Sequence, residues 1–326
     1  MTYRIIIILL FTTSSIFGQN AKLSLLPTLP YCKYELKTGK DSITFYLSTA
    51  SHKEKQPLVI FIQGSGQNSL FTKGQSGQIR TEYGIRTWLN VVQEKYRLLV
   101  VEKPGVKYLQ TGKSTLFDTK FSLDSWSNTI RDAINYVIAH EEIDPRKILI
   151  AGHSEGGVVA SRVAKMMKGK ISNVAIMAGE GPSQLYSLFK LAEDGTLFDT
   201  EEQHRPTSEQ RTSYLIDKWK EILADPNNTE KKFFGFTYLR WSSLLKTSVI
   251  DELSNYNGKI FIIQGTIDKA VYPESAIIAY TTLLSKGKNV EIKLIENADH
   301  SFNISSKPEV NGWKMAIENI IQWFSK

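Results

Sequence analysis

The pentapeptide GHSEG at residues 152–156 contains the residue best placed to act as a nucleophile, Ser154. It lies between an apolar run at residues 147–151 and a run of small and apolar residues at 157–167. The first run predicts a buried strand, and the second predicts a helix packed closely against it. Ser154 would then occupy the sharp turn between them, with glycines on either side to admit the close approach of strand and helix. The pattern therefore predicts a nucleophilic serine with an exposed hydroxyl.

A serine hydroxyl is a weak nucleophile at neutral pH unless a neighbouring base removes its proton. Among the five histidines, His300 follows an alternating apolar strand predicted at residues 290–295 and precedes a helix predicted at 312–324. A loop after the last strand is the expected place of the base in the chain order serine, acid, histidine. His153 is expected to pack against or orient the site. The other three are interpreted as solvated histidines: His52, His140 and His204.

The acid that orients the histidine should lie between Ser154 and His300 in the chain. Asp268 is in the loop that leaves a strand predicted at residues 259–265, and it is the predicted acid. Glu296 and Asp299 are the alternatives. Asp299 adjoins His300 in sequence, but neighbouring side chains on an extended loop point apart.

With the segments GTID at residues 265–268 and ADHSF at 298–302, the GHSEG pentapeptide makes the chain resemble an α/β-hydrolase from about residue 57 to its C-terminus. It is similar to bacterial members related to the prolyl-oligopeptidase-like, serine-aminopeptidase-like and dienelactone-hydrolase-like branches. The resemblance implies an α/β-hydrolase fold, with a mostly parallel sheet, helices on both faces and a helical lid insertion. It also implies a Ser154, Asp268, His300 triad that needs no metal or organic cofactor.

Acyl transfer in this fold also uses two backbone N–H groups that bind the developing oxyanion. One would be that of Glu155, the residue after the nucleophile. The other is expected from the loop Gly64, Ser65 and Gly66, which follows a strand predicted at residues 58–62. The family often has His-Gly-Gly or His-Gly-x-Gly at this place. Because Gln63 stands where the histidine would be, the sequence leaves open which N–H of the loop is the donor.

Residues 181–257 are too many for a simple β/α unit, and they are predicted to form the lid, with a helix at 214–223. Aromatic residues in this segment would line an acyl or aryl pocket or pack the lid onto the core: Phe234, Phe236 and Trp241. Two carboxylates at strand ends facing the cleft could bind a substrate amine or form salt bridges: Glu102 and Glu180.

The remaining predicted elements alternate between strand and helix, as in an α/β protein. The strands are predicted at residues 31–37, 42–48, 97–102 and 173–178, and the helices at 85–95 and 125–141.

The first residues indicate where the protein works. Arg4 precedes an apolar core at residues 5–11, and small and polar residues follow up to Gly18. This pattern predicts a signal peptide at residues 1–18 and an exported protein, periplasmic or secreted. The length of the remaining chain, residues 19–326, suits one α/β-hydrolase domain. The apolar core is much shorter than the roughly 20 residues of a spanning helix, so no stable membrane insertion is expected after cleavage. Cys32, the single cysteine, can form no internal disulfide.

The charge of the chain gives little information about partners. The formal net charge is +7, and it is spread along the chain, which does not favour a nucleic-acid partner. The predicted partner is a small-molecule ester or a short peptide, and the sequence does not determine the oligomeric state. The favoured function is an exported serine hydrolase of carboxylic esters. The alternatives are a serine exopeptidase or aminopeptidase with the same triad, and a binding protein of this fold that has lost turnover.

Overall fold

A computed structural model of the protein describes residues 21–26, 29–39, 41–92, 94–199 and 204–326. The predicted signal peptide at residues 1–18 lies outside the described residues. In the described residues, no helix is both long and apolar enough to cross a membrane.

The strands are β1 (Lys22–Leu25), β2 (Tyr31–Thr38), β3 (Asp41–Ser48), β4 (Gln56–Ile62), β5 (Phe71–Lys73), β6 (Ile79–Thr81), β7 (Arg97–Val101), β8 (Ile143–His153), β9 (Asn173–Met177), β10 (Lys232–Phe233), β11 (Phe236–Thr237), β12 (Lys259–Gly265) and β13 (Val290–Ile295). The helices are α1 (Ile85–Val92), α2 (Thr115–Lys120), α3 (Leu123–His140), α4 (Gly156–Met166), α5 (Gln184–Glu193), α6 (Ser208–Ala224), α7 (Tyr238–Leu245), α8 (Val249–Leu253), α9 (Pro273–Ser285) and α10 (Gly312–Phe324).

Nine of these strands form one sheet in the order β1-β2-β3-β7-β4-β8-β9-β12-β13. The strands from β7 to β13 in this order run parallel, whereas β1, β2 and β3 are joined to them by antiparallel pairing. The carboxyl ends of the parallel strands therefore meet at one edge, where loops from different parts of the chain can build a common site. The predicted mostly parallel sheet is confirmed.

Helices cover both faces of the sheet, as the alternating side chains of its strands require. On β4, Leu58, Ile60 and Ile62 belong to the hydrophobic core under α3, α4, α8 and α9. Val59 and Phe61 point to the opposite face and belong to the core under α1 and α10. Burial on both faces explains why the central strands are continuous apolar runs.

Two predicted helices differ from the observed ones by three or more residues at one end. The helix predicted at residues 85–95 ends at Val92, and Glu94 beyond it has a φ of +72°, which is incompatible with a continuing helix. The helix predicted at 214–223 begins earlier, because the side chain of Thr207 accepts from the N–H of Gln210 in a capping box.

The segment between β9 and β12, residues 181–257, carries helices α5 to α8 and the hairpin β10-β11. It has a hydrophobic cluster of its own, formed mainly by side chains of α5, α6 and α7 and including Leu215, Phe233 and Trp241. We call residues 181–257 the insertion.

Candidate active site

Ser154 lies at a sharp turn between β8 and α4. Its φ is +54°, in the left-handed region that residues other than glycine seldom adopt. A Cβ at Gly152 would come within 2.0 Å of the carbonyl oxygen of Gly156, and a Cβ at Gly156 would come within 2.5 Å of that of Ile62. The N–H of Ser154 donates to the carbonyl oxygen of Met177 at 2.9 Å. The turn is thus packed against β4 and bonded to β9, in the strand, turn and helix arrangement that the sequence predicts.

Asp268 and His300 lie on the loops that follow β12 and β13, and the structure brings them together. Nδ1 of His300 is 2.8 Å from Oδ2 of Asp268. The same oxygen accepts from the side-chain amide of Gln264 at 2.8 Å, and Oδ1 accepts from the N–H groups of Ala270 and Val271 at 2.8 and 2.9 Å. Burial raises the pKa of Asp268, but these bonds, led by that of His300, outweigh it and hold the pKa below its ordinary value. The carboxylate is therefore charged and fixed.

The two alternative acids are placed differently. Asp299 accepts from the N–H groups of Ser301 and Asn303, within its own loop, and Glu296 is exposed. Neither forms a hydrogen bond with the ring of His300 in the described chain. Of the three candidates, the structure pairs Asp268 with this histidine.

His153 contacts the histidine loop through its side chain. Its Nε2 is 3.0 Å from the backbone carbonyl oxygen of His300, which can only accept, so Nε2 carries the proton. The ring packs edge-on against that of Trp313 with a centroid distance of 4.9 Å. Burial, followed by the nearby His300, lowers the pKa of His153 to about 4. His153 is thus a neutral donor that holds the loop. The other three histidines are exposed: His52, His140 and His204.

The loop predicted to bind the oxyanion lies against the nucleophile. A Cβ added at Gly64 would be 3.1 Å from Cβ of Ser154, and Gly66 has a φ of +111°. Within the described ranges, the backbone N–H groups of Ser65 and Glu155 have no hydrogen-bond acceptor. Two unoccupied donors at a turn around a serine are what oxyanion binding requires.

Lys103, which the sequence analysis did not identify, binds this loop through its side chain. Its side chain is buried, and Nζ donates to the carbonyl oxygens of Gly64 and Gly66 at 2.6 and 2.7 Å. Burial lowers the pKa of Lys103 to about 7. The sequence signal that could have found it is a lysine two residues after a buried strand, β7, which pairs with β4, the strand that leads into this loop.

Arg240, also missed, connects the insertion to the nucleophile turn. It lies on α7 and forms a buried, hydrogen-bonded ion pair with the carboxylate of Glu155, with both side chains no more than 2% exposed. Its guanidinium stacks on the rings of Trp241 and Phe236, at 3.9 and 4.3 Å from their centroids. Glu155, the residue after Ser154, is therefore bonded to the insertion through its side chain.

The two carboxylates proposed as amine ligands have different surroundings. Glu102 does not line the cavity at Ser154. Its carboxylate accepts from the hydroxyls of Tyr46 and Ser69 and from the N–H of Leu70. Burial raises the pKa of Glu102 to about 7.

Glu180 lines a small cavity of about 10 Å³ together with Ser154, Leu244 and Thr247. This volume holds about one water molecule. One oxygen of Glu180 accepts from the hydroxyl of Ser187 at 2.6 Å. Burial raises the pKa of Glu180 well above its ordinary value.

The three aromatic residues expected to line the pocket do not contact this cavity. Trp241 is buried in the cluster of the insertion, with its Nε1 donating to the carbonyl oxygen of Phe233 at 2.6 Å. Phe236 packs against Arg240, and Phe234 is 46% exposed. The alternative, that these rings pack the insertion, describes Trp241 and Phe236.

A larger cleft of about 760 Å³ lies between β3, the loop after β7, α2 and α3. It contains neither Ser154 nor the Asp268 and His300 pair, whereas Ser154 lines the smaller cavity. In the part of the chain that the structure describes, no three His, Cys, Asp or Glu side chains cluster as metal ligands.

Residues 110–326 match the prolyl oligopeptidase family of serine peptidases, family S9. The chain belongs to the prolyl oligopeptidase family. This result confirms the resemblance deduced from the sequence and shows that the protein is a serine hydrolase of that family. A search of curated proteins gives no match.

Solved structures share the α/β-hydrolase fold with this member of the prolyl oligopeptidase family. Pyrococcus horikoshii acylaminoacyl peptidase is 15% identical with a TM-score of 0.61, and the match covers 92% of this chain but only 42% of that one. Est1E from Butyrivibrio proteoclasticus is 15% identical with a TM-score of 0.57, over 90% of this chain and 98% of Est1E. A protein described as a dienelactone hydrolase from Klebsiella pneumoniae is 14% identical with a TM-score of 0.56, over 92% and 100%. These likenesses confirm the fold.

Proposed function

We propose that this protein hydrolyses esters of small carboxylic acids through an acyl-enzyme on Ser154. The observation that carries the proposal is the bonded pair of His300 and Asp268 at the strand edge where Ser154 occupies its strained turn. The free N–H groups of Ser65 and Glu155 beside that turn support acyl transfer as the reaction.

In this mechanism the carboxylate of Asp268 holds Nδ1–H of His300, which leaves Nε2 to accept the proton of the Ser154 hydroxyl. The serine oxygen forms a bond with the ester carbonyl carbon, and the carbonyl electron pair moves to the oxygen. The N–H groups of Ser65 and Glu155 donate to this oxyanion. His300 then gives its proton to the departing alcohol. Water repeats the sequence on the acyl-enzyme and releases the acid.

The cavity at the serine is too small, in this structure, to hold a long acyl chain. The cavity at Ser154 has room for about one water molecule, and residues of the insertion, Leu244 and Thr247 among them, form part of its wall. The chain spans nearly the whole of Est1E, a structure of which holds ferulic acid, but less than half of the acylaminoacyl peptidase. Ferulic acid is a small carboxylic acid, and the likeness to Est1E adds support for an ester.

Glu180 favours a second candidate, an aminopeptidase. Its carboxyl lies in the wall of the cavity beside Ser154, and one of its two oxygens bonds Ser187. A substrate ammonium bound there would favour the charged carboxylate and so provide a partner that the buried group lacks.

The test compares short-acyl nitrophenyl esters with aminoacyl nitroanilides, using purified protein that lacks residues 1–18. Ester turnover that disappears in Ser154→Ala is the expected result. Glu180→Gln should leave ester turnover within about threefold, since a neutral ester makes no ion pair with it. Preferred cleavage of anilides, lost in Glu180→Gln, would replace the ester proposal with the aminopeptidase.

A binding protein without turnover is the remaining alternative. An active-site serine probe separates it from both enzymes. Labelling of the native protein at Ser154, absent in Ser154→Ala, would contradict the binding protein, whereas an unlabelled protein would contradict the hydrolase.

We also propose that residues 1–18 direct export to the periplasm or outside the cell, supported by Arg4 and the apolar core that follows it. N-terminal mass spectrometry of the exported protein should find Gln19 as the first residue. Retention of the protein in the cytoplasm with residues 1–18 attached would contradict export.

A further inference from the structure

Lys103 is a buried cation at the end of β7. Its side chain is 2% exposed. The described residues include no carboxylate in an ion pair with it, which is unusual because a buried charge normally requires one. Glu155 and Glu102 favour the charged form from a distance, and the direct contacts of the ammonium are with other groups.

Carbonyl oxygens and aromatic rings form these direct contacts. Nζ donates to the carbonyl oxygens of Gly64 and Gly66, and it lies 4.6 Å from the ring centroid of Trp126 and 5.7 Å from that of Phe121. The nearest anions on neighbouring elements are bonded elsewhere. Glu155 pairs with Arg240, and Glu102 accepts from Tyr46, Ser69 and Leu70. The ammonium of Lys103 therefore donates both of its hydrogen bonds in the structure to the loop at residues 64–66.

These two bonds determine where the loop N–H groups point. In a trans peptide the C=O and N–H groups have opposite directions. Because the carbonyl of Gly64 points at Lys103, the N–H of Ser65, in the same peptide unit, points away from it. This N–H has no acceptor in the described part of the chain, and Gly64 lies against Ser154. A cation on the carbonyl oxygen also polarises the peptide and strengthens its N–H as a donor.

We propose that Lys103 is a positioning residue for catalysis, which holds the peptide units of residues 64–66 so that the N–H of Ser65 binds the oxyanion. The inference rests on the proposed acyl transfer at Ser154. It also answers the question that the sequence leaves open, since it assigns the second oxyanion donor to Ser65.

The proposal predicts a dependence of kcat on pH. Burial lowers the pKa of Lys103 to about 7, so raising the pH above neutrality removes the charge that polarises the loop, and kcat should fall. The other titratable groups around Nζ are Glu102, Glu155, Arg240 and Tyr83. Burial raises the pKa of Tyr83 to about 12, outside this range, whereas that of Glu102 is also about 7. Glu102→Gln is therefore measured in parallel and should retain the alkaline decline.

The experiment uses the full chain with Lys103→Met, Lys103→Arg and, as a matched control, Lys107→Met, which changes an exposed lysine in the same loop. Removal of one oxyanion donor costs about 100-fold or more in kcat. Lys103→Met should therefore lower kcat by about 100-fold with KM within about threefold, while Lys107→Met should match the wild type. Lys103→Arg keeps its charge at all assay pH values, so its kcat should not decline between neutral pH and pH values of about 9.

Two results would overturn the proposal: a kcat for Lys103→Met equal to that of the wild type, or a crystal structure of this variant with unchanged carbonyl directions at Gly64 and Gly66. The crystal structure requires no substrate. If the wild type hydrolyses neither ester nor anilide, the proposed function fails, and the loop orientation still decides what Lys103 does. If Lys103→Met does not fold, the pH profile of kcat for Lys103→Arg tests the proposal instead. A decline of its kcat at alkaline pH identical to that of the wild type would overturn the proposal.

Discussion

Asp268 and His300 hold one side of the candidate active site through hydrogen bonds with backbone groups and a side-chain amide, whereas the loop at residues 64–66 and Glu155 on the other side are held by two buried cations. We call these the proton-transfer side and the oxyanion side. On the first, Asp268 and His300 lie on loops beyond their strands, and Gln264 lies near the end of β12. On the second, the side chains that fix the site, Lys103 and Arg240, act on carbonyl oxygens and on a carboxylate.

The difference determines what a substitution does on each side. A single hydrogen bond contributes about 1 kcal/mol to stability, whereas a buried charge that loses its partner costs several times more. Substitutions on the proton-transfer side should therefore change mainly the rate. Substitutions on the oxyanion side should also change the free energy of unfolding.

The largest expected effect is on the proton-transfer side. Asp268→Asn should lower kcat by about 10⁴-fold, because an amide does not stabilise the tautomer and the charge that His300 needs. The free energy of unfolding should change little by comparison. Steady-state kinetics with Asp299→Asn as the control measures the contrast. An equal loss of kcat in Asp299→Asn would show that the orienting acid has been wrongly assigned.

The next effect is on the oxyanion side. Arg240→Met leaves the carboxylate of Glu155 buried without its partner, and the free energy of unfolding should fall by about 3–5 kcal/mol. Adding Glu155→Gln removes the charge and should restore much of the loss. Urea unfolding of both single variants and the double variant gives the coupling.

The control is Lys218→Met, which breaks a more exposed ion pair with Glu221 and should change stability by less than about 1 kcal/mol. Additive losses in the double variant would mean that Arg240 stabilises the protein through its aromatic neighbours alone.

A smaller effect concerns pH. Burial raises the pKa of Glu102 from 4.5 to about 7, so the fold favours its protonated form. That contribution to stability is complete below about pH 4.5 and is lost as the pH rises to about 7. Glu102→Gln should remove this decline, which amounts to about 3 kcal/mol. Urea unfolding between these pH values measures it. A decline that persists in Glu102→Gln but disappears in Glu309→Gln, an exposed carboxylate, would contradict the assignment.

The sequence predicts the proton-transfer side well because its residues are few and their order is fixed by the fold. A glycine-flanked serine after an apolar strand, and an acid and a histidine after two later strands, can be located by counting elements. The structure places Asp268 and His300 within hydrogen-bonding distance, with strands β12 and β13 at the predicted bounds.

The oxyanion side could be predicted only as far as its backbone. Lys103 and Arg240 are two among 40 lysines and arginines. Their roles depend on burial and on partners 37 or more residues away in the chain, which local pattern does not contain. The same limit applies to Glu102. The end of a strand indicates that a side chain is near the cleft, but not that Tyr46 and Ser69 already occupy its oxygens.

The separate hydrophobic cluster of the insertion has a consequence for how substrate preference can diversify. Because α5, α6 and most of α7 pack on one another, that part of the insertion can accumulate changes while the sheet keeps its own packing, whereas Leu244, Val249 and Leu253 belong to the core of the sheet. One contact must be kept when this part is replaced to change substrate specificity. The replacement must present a cation to Glu155, as Arg240 does, or the nucleophile turn is left with a buried charge that nothing balances.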